Sequence, residues 1–292
     1  LKPTSMTAFE LFQEDFKSFA KNHYDILETT LSNIFTMRLI GNKTHGDLAE
    51  IGIAEFITQY MDNYDCQHVG KDKYRAKEHE EDIEICCKKT NKHIPVSLKA
   101  YGDGPLQLST DKNFSLYPYL QKLGTKIVGQ DIIDFFNSDA FKAIDGVNVM
   151  PLIYRETKNE CNILIFNFEK MKNDTCEIIY VDKGEKYDEK LKTTIPAKGR
   201  KHPIYMFLNK DGEYICEVRY GDAEANALQR GLWTHTRNAS QYFNSLTGKW
   251  IKYTPNETLV QLFRLALNTT EDIHKTVNDN LLREIDSIKK LW

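Results

Sequence analysis

Nowhere in its 292 residues does the chain carry a run approaching the roughly 20 consecutive apolar residues that a membrane span needs. Its opening stretch, LKPTSMTAFELFQEDF, lacks the basic-then-apolar layout of a secretory signal, so the cytoplasm is the expected compartment. Cysteine is sparse and scattered: Cys66, Cys86, Cys87, Cys161, Cys176 and Cys216 include an adjacent pair and do not form a disulfide framework for a chain this long, so reduced thiols are expected. There is no G-x-x-x-x-G-K-[ST] loop, which argues against a nucleotide-driven motor. There is no G-x-S-x-G elbow either, which leaves a serine–histidine nucleophile without support. Charge of one sign is also missing. Lys and Arg total 39 against 42 Asp and Glu, a formal net charge of −3, so no global basic field advertises nucleic acid and any such footprint must be local.

What is present is ordinary for a globular protein: 41% hydrophobic and 28% charged residues, with no internal repeat. The first 60 residues read as helical, with Phe9, Leu11, Phe12, Phe16 and Phe19 at three- and four-residue steps and the pattern continuing over 46–61. Two short alternating runs follow at 81–87 and 94–100, separated by KKTNKH. Residues 116–143 return to helical character, and 147–220 read mostly as strands, with NKDGE as a turn between the last two. The polar stretch 182–202 is expected as an exposed loop. Two helices close the chain, the last with Ile273, Val277, Leu281, Ile285 and Ile288 on one stripe. The class expected is α/β, a mixed β-sheet flanked by helices, in one domain spanning 1–292.

The most informative segment is EEDIEICCKKTNKHIPVSLKAYG, residues 80–102. A β-hairpin centred on Thr90–Asn91 sets Asp82 opposite Lys99 and Glu84 opposite Ser97. Because strand residues alternate faces, Asp82, Glu84, Ser97 and Lys99 then share one face, and Ile83, Ile85, Cys87, Val96 and Leu98 share the other. A carboxylate beside a lysine suits phosphodiester hydrolysis. A divalent cation polarises the phosphate and lowers the pKa of a water, hard Mg²⁺ asks for one or two carboxylates plus waters, and a lysine can orient that water. The same alternation also occurs on ordinary solvated hairpins.

Asp82, fourteen intervening residues and then Ser97-Leu98-Lys99 resembles the signature of the PD-(D/E)XK nuclease superfamily, to which many type II restriction endonucleases belong. The match departs from the pattern at Glu81, where proline is usual, and at Ser97, where the second acid normally stands. Some members carry a neutral polar residue there, and whether Glu84 compensates is open. Residues 97–113 and 218–236 also resemble stretches of type II restriction endonucleases. The resemblance implies a restriction-endonuclease-like core at about 45–150 and a DNA-recognition and C-terminal helical part at about 151–292. It implies Mg²⁺ held by Asp82 and Glu50, with Ser97 contributing a hydrogen bond or a water-mediated contact, and Lys99 positioning the attacking water. The implied activity is hydrolysis of double-stranded DNA at a specific short sequence. A homodimer is an open possibility, and a cognate DNA methyltransferase would be a genetic rather than a physical partner.

Members of that superfamily often add an acid from an N-terminal helix. On the 46–61 helix, Ala49, Ile53, Phe56, Ile57 and Tyr60 define the face expected to be buried. Glu50 falls at its edge and Glu55 nearly opposite, so Glu50 is the choice. For DNA contacts, residue type points to Gln107, Ser109 and Thr110 in an expected loop at 102–110. It points equally to Asn226, Gln229, Arg230, Thr234 and Arg237, whose plain alternative is an amphipathic helix with Leu228 and Leu232 inward. Lys198, Arg200, Lys201 and His202 form a small basic cluster. Two competing readings remain. A zinc module would draw on Cys66, His68, His79, Cys86, Cys87 and His93, yet it lacks the C-x₂-C spacing. A non-catalytic DNA-binding or interaction protein on a nuclease scaffold is kept open by Ser97.

Overall fold

The computed structural model describes residues 6–40, 45–69, 81–145, 147–198, 202–219, 229–266, 279–280, 283–288 and 290–291. The chain gathers into two compact units that interleave in sequence. One comprises Leu1–Gly102, Val147–Ile165 and Ser245–Trp292, the other Asp103–Gly146 and Phe166–Asn244. Among the described residues no helix is long and apolar enough to cross a membrane.

The first unit opens with three helices, α1 (Ala8–Asn22), α2 (Tyr24–Ile40) and α3 (His45–Tyr60). A capping box starts α1: the Thr7 side chain accepts from the Glu10 amide, and Glu10 accepts from the Thr7 amide at 2.7 Å. Its apolar stripe docks by ring contacts, Phe12 edge-on to Tyr64 at 5.3 Å and Phe16 against Phe56 at 5.6 Å. Strands β1 (Tyr64–His68), β2 (Ile83–Cys87) and β3 (Lys92–Gly102) continue into Asn148–Arg155 and Glu160–Phe166, adjacent in that order. Only β3 and Asn148–Arg155 run parallel among these pairs, so the sheet is mixed. The α/β class and the mixed sheet flanked by helices are as expected. Ile83, Ile85, Cys87, Ile94, Val96, Leu98, Met150 and Leu152 join the core that the three helices cover.

The β2–β3 hairpin differs from expectation by two residues. Ile83 pairs with Val96, Ile85 with Ile94 and Cys87 with Lys92, which leaves a four-residue loop, Lys88–Asn91. Asn91 takes a left-handed φ of 52° and donates to the Cys87 carbonyl at 2.8 Å. Asparagine tolerates that conformation, and this sets the turn one residue earlier than its apparent centre. A slip of two preserves both faces, so the apolar set is as foreseen. The cross-strand neighbours are not. Glu84 lies opposite Pro95, and continuing the register brings Asp82 to Ser97 rather than to Lys99.

In the second unit six strands order as Pro105–Thr110, Gly231–His235, Tyr214–Arg219, Ile204–Leu208, Glu177–Val181 and Lys126–Val128. Residues 105–110 are thus a strand rather than the expected loop, and so are 231–235, where an amphipathic helix was the alternative. Gly231 allows their pairing: its φ is +129°, and a Cβ there would sit 2.0 Å from the Ser109 carbonyl oxygen. The polar stretch expected as a loop holds a hairpin, Glu185–Asp188 against Thr193–Pro196. The helical region at 116–143 divides into Leu116–Leu123, Gln130–Asn137 and Asp139–Lys142 around the strand Lys126–Val128. Of the two closing helices, Glu257–Ala266 is described, whereas Ile273, Val277 and Leu281 of the last stripe lie outside the described residues. In that stripe Ile285 is buried and Ile288 is 39% exposed.

Candidate active site

Asp82 stands immediately before β2. Its amide donates to the Val96 carbonyl at 3.0 Å, and its carbonyl accepts from Val69 at 2.9 Å, so backbone on both sides holds it. At the start of β2 the Asp82 side chain also reaches the adjacent strand β3. Its Oδ2 accepts from the Leu98 amide at 2.8 Å and from the Ser97 hydroxyl at 3.0 Å. Ser97 is buried, so this hydroxyl is a fixed donor.

Two further charges converge on the same carboxylate. Burial pushes the Asp82 carboxyl up to about 6. The Lys99 ammonium opposes that rise, the Glu50 carboxylate adds to it, and the Ser97 and Leu98 hydrogen bonds oppose it. Lys99, Glu50 and Ser97 therefore all act on the Asp82 carboxyl. Glu50 comes from α3 and Glu55 does not join it. The Glu55 carboxylate instead accepts from Gln59 at 2.7 Å. The buried face of α3 contains Ala49, Ile53, Phe56 and Ile57 as expected, but Tyr60 at the helix end is 42% exposed. Glu84 pairs outward with His93 at 3.1 Å, and it is absent from the groups that shift Asp82.

His68, weighed from the sequence only as a zinc ligand, meets Glu50 here. Its Nε2 lies 2.7 Å from Glu50 Oε2, with His68 only 1% exposed. The signal was the alternation of YDCQH, which turns Tyr64, Cys66 and His68 inward together. Among the described residues these contacts engage Oδ2 of Asp82 and Oε2 of Glu50, and both carboxylates are hard oxygen donors. Carboxylate oxygens are the donor type that Mg²⁺ takes, with waters completing its shell. Among the described residues no group of three or more His, Cys, Asp or Glu is arranged to hold a metal. For the zinc reading, His79 lies outside the described residues, and burial pushes the Cys66 thiol well above its usual range.

The raised Asp82 carboxyl has a stability consequence. The folded chain binds this proton more tightly than the unfolded chain, whose aspartate sits near 3.8, so the site favours folding at low pH and that advantage is lost as pH rises through about 6. At pH 8 in chelator, Asp82→Asn is expected to unfold in urea with about 1–3 kcal/mol more stability than wild type. Near pH 4 the difference should vanish. An asparagine variant less stable at pH 8 would contradict this charge balance.

The candidate DNA-contacting residues do not behave as a set. Thr234 is fully buried and donates to the Ile215 carbonyl at 2.8 Å, and Ser109 is 8% exposed. Alternation sets Thr234 on the side of Leu232, and a register shift between Leu232 and Trp233 brings Ser109 opposite Leu232, so both hydroxyls are buried. Gln107 donates to the Arg230 carbonyl at 3.0 Å. The Arg230 guanidinium lies 4.7 Å over the Phe114 ring. Thr110 is half-buried, while Gln229 and Arg237 are exposed, Arg237 in a pair with Asp103 at 2.9 Å. Asn226, Arg200 and Lys201 lie outside the described residues. No family model, curated protein or solved structure matches the chain.

Proposed function

We propose that the chain is a Mg²⁺-dependent endonuclease that hydrolyses double-stranded DNA at a specific short sequence, as type II restriction endonucleases of the PD-(D/E)XK superfamily do. One observation carries this reading: the Asp82 carboxylate, clamped by Ser97 and the Leu98 amide, feels both Lys99 and Glu50. Asp82 and Glu50 are the carboxylates that would hold the cation. When bound, the cation polarises the phosphate and makes its water a nucleophile near neutral pH. Lys99 orients that water and faces the negative charge that grows on the phosphate. Ser97 replaces a second acid with a neutral donor that fixes Asp82.

The purified full chain should convert plasmid DNA into discrete fragments in Mg²⁺, with no cutting in chelator. Intact plasmid in Mg²⁺ across a panel of sequences would overturn the proposal. A non-catalytic DNA-binding protein on this scaffold is favoured by one feature, that Ser97 spends its hydroxyl on Asp82. Binding without cutting in the same assay would select it. Arg237, 65% exposed at its side chain, is suited to a phosphate. Arg237→Ala should weaken specific and random duplexes alike and reduce the salt slope of binding by about one. Loss confined to the specific duplex would make it a base reader.

A further inference from the structure

The sheet of the second unit has two unlike faces. On one, Tyr205 packs on Tyr117 at 5.2 Å and Phe207 on Phe135 at 5.8 Å, so helices cover it. The other carries Met206, Glu217 and Trp233 in cross-strand register. This face floors a cleft of about 1180 Å³ whose wall is the 185–190 side of the hairpin. Glu217, 4% exposed, is paired with Arg219, and the Arg219 guanidinium lies 4.6 Å over the Trp233 ring. The Tyr214 hydroxyl and His235 Nδ1 also border the cleft, buried and without a well-formed hydrogen bond among the described residues. Burial first, then Arg237 and Arg219, lower the pKa of His235, which keeps its imidazole neutral. Exposed Lys186, Lys190 and Lys198 stand at the mouth.

Buried polar atoms without partners are rare, and a buried acceptor beside a fixed guanidinium is a paired acceptor–donor edge. Readers of intact duplex protrude into a groove, because base edges are themselves recessed. A concave floor cannot follow them there. A base turned out of the helix can enter such a cleft and present its pairing edge. We infer that this cleft receives one unstacked, amino-bearing nucleobase of DNA. Its amino hydrogens go to Glu217, its ring or carbonyl acceptors face Arg219, and the mouth lysines meet the flanking phosphates. This inference rests on the DNA-cutting reading and adds a recognition step outside the cutting centre.

The test needs no knowledge of the target sequence. Binding of the full chain in Ca²⁺ is compared between a paired duplex and the same duplex carrying one unpaired A, C, G or T. An unpaired base spares the enzyme the work of extrusion, so amino-bearing bases should bind about tenfold tighter than the paired duplex, and thymine much less so. Glu217→Gln should erase that gain, and Tyr214→Phe, which keeps the ring, should reduce it several-fold. Glu55→Gln, which lies outside the cleft and outside the groups that act on Asp82, should keep it. Equal affinity for all duplexes, or a gain untouched in both folded cleft variants, would overturn the inference. So would free deoxynucleoside monophosphates binding as tightly as the unpaired base in DNA. Plasmid cutting without any gain removes the cleft alone, whereas no cutting and no DNA binding removes both readings.

Discussion

Asp82→Ala and Lys99→Ala are each expected to slow Mg²⁺-dependent cleavage by about a hundredfold or more while the protein stays folded. The two variants fail for different reasons. Alanine at 82 removes one of two carboxylates available to the cation and strands the Ser97 hydroxyl and Leu98 amide that it satisfied. Leaving those donors unpaired costs about 1–3 kcal/mol, offset by relief of a carboxylate that burial disfavours. The fold should therefore survive, and Asp82→Asn, which still accepts both hydrogen bonds, separates charge from packing. Alanine at 99 removes the cation that opposes the rise in the Asp82 pKa, so Asp82 should hold its proton to a higher pH. Its residual activity should accordingly recover at alkaline pH, whereas that of Asp82→Ala should not. Circular dichroism and urea unfolding in chelator establish that each variant is intact. Near-wild-type cutting by either one would dismiss this centre.

Glu50→Gln should depress Mg²⁺-dependent activity at least tenfold, with a higher Mg²⁺ requirement, while Glu55→Gln stays close to wild type. Both residues lie on α3, and the substitutions are chemically identical. They differ only in what they touch. Glu50 faces buried His68 and adds its field to Asp82, whereas Glu55 bonds Gln59 one helical turn along. Glutamine at 50 keeps an oxygen for His68 and loses only the charge. A Mg²⁺ titration of cleavage by the two variants reads the ranking directly. If Glu55→Gln is the damaging change, the upstream carboxylate is misassigned.

Much of this arrangement is local in origin and therefore legible in the sequence. Period-two alternation alone sorts Asp82, Ser97 and Lys99 from Ile83, Ile85, Val96 and Leu98, because pleating turns successive side chains to opposite faces. Helical spacing likewise places Glu50, not Glu55, at the margin of the face that α3 buries. Tertiary structure decided what depends on distant partners. The left-handed Asn91 chose a register two residues away from the symmetric one, and so chose which side chain meets Asp82. Burial of Thr234 and Ser109 follows from which sheet face the helices cover, which residue type cannot report. Pairing of 105–110 with 231–235 depends on Gly231 admitting the Ser109 carbonyl, more than a hundred residues away. His68 reaches Glu50 only because β1 and α3 pack together, and a side-chain contact of that kind leaves no mark on the spacing of either segment.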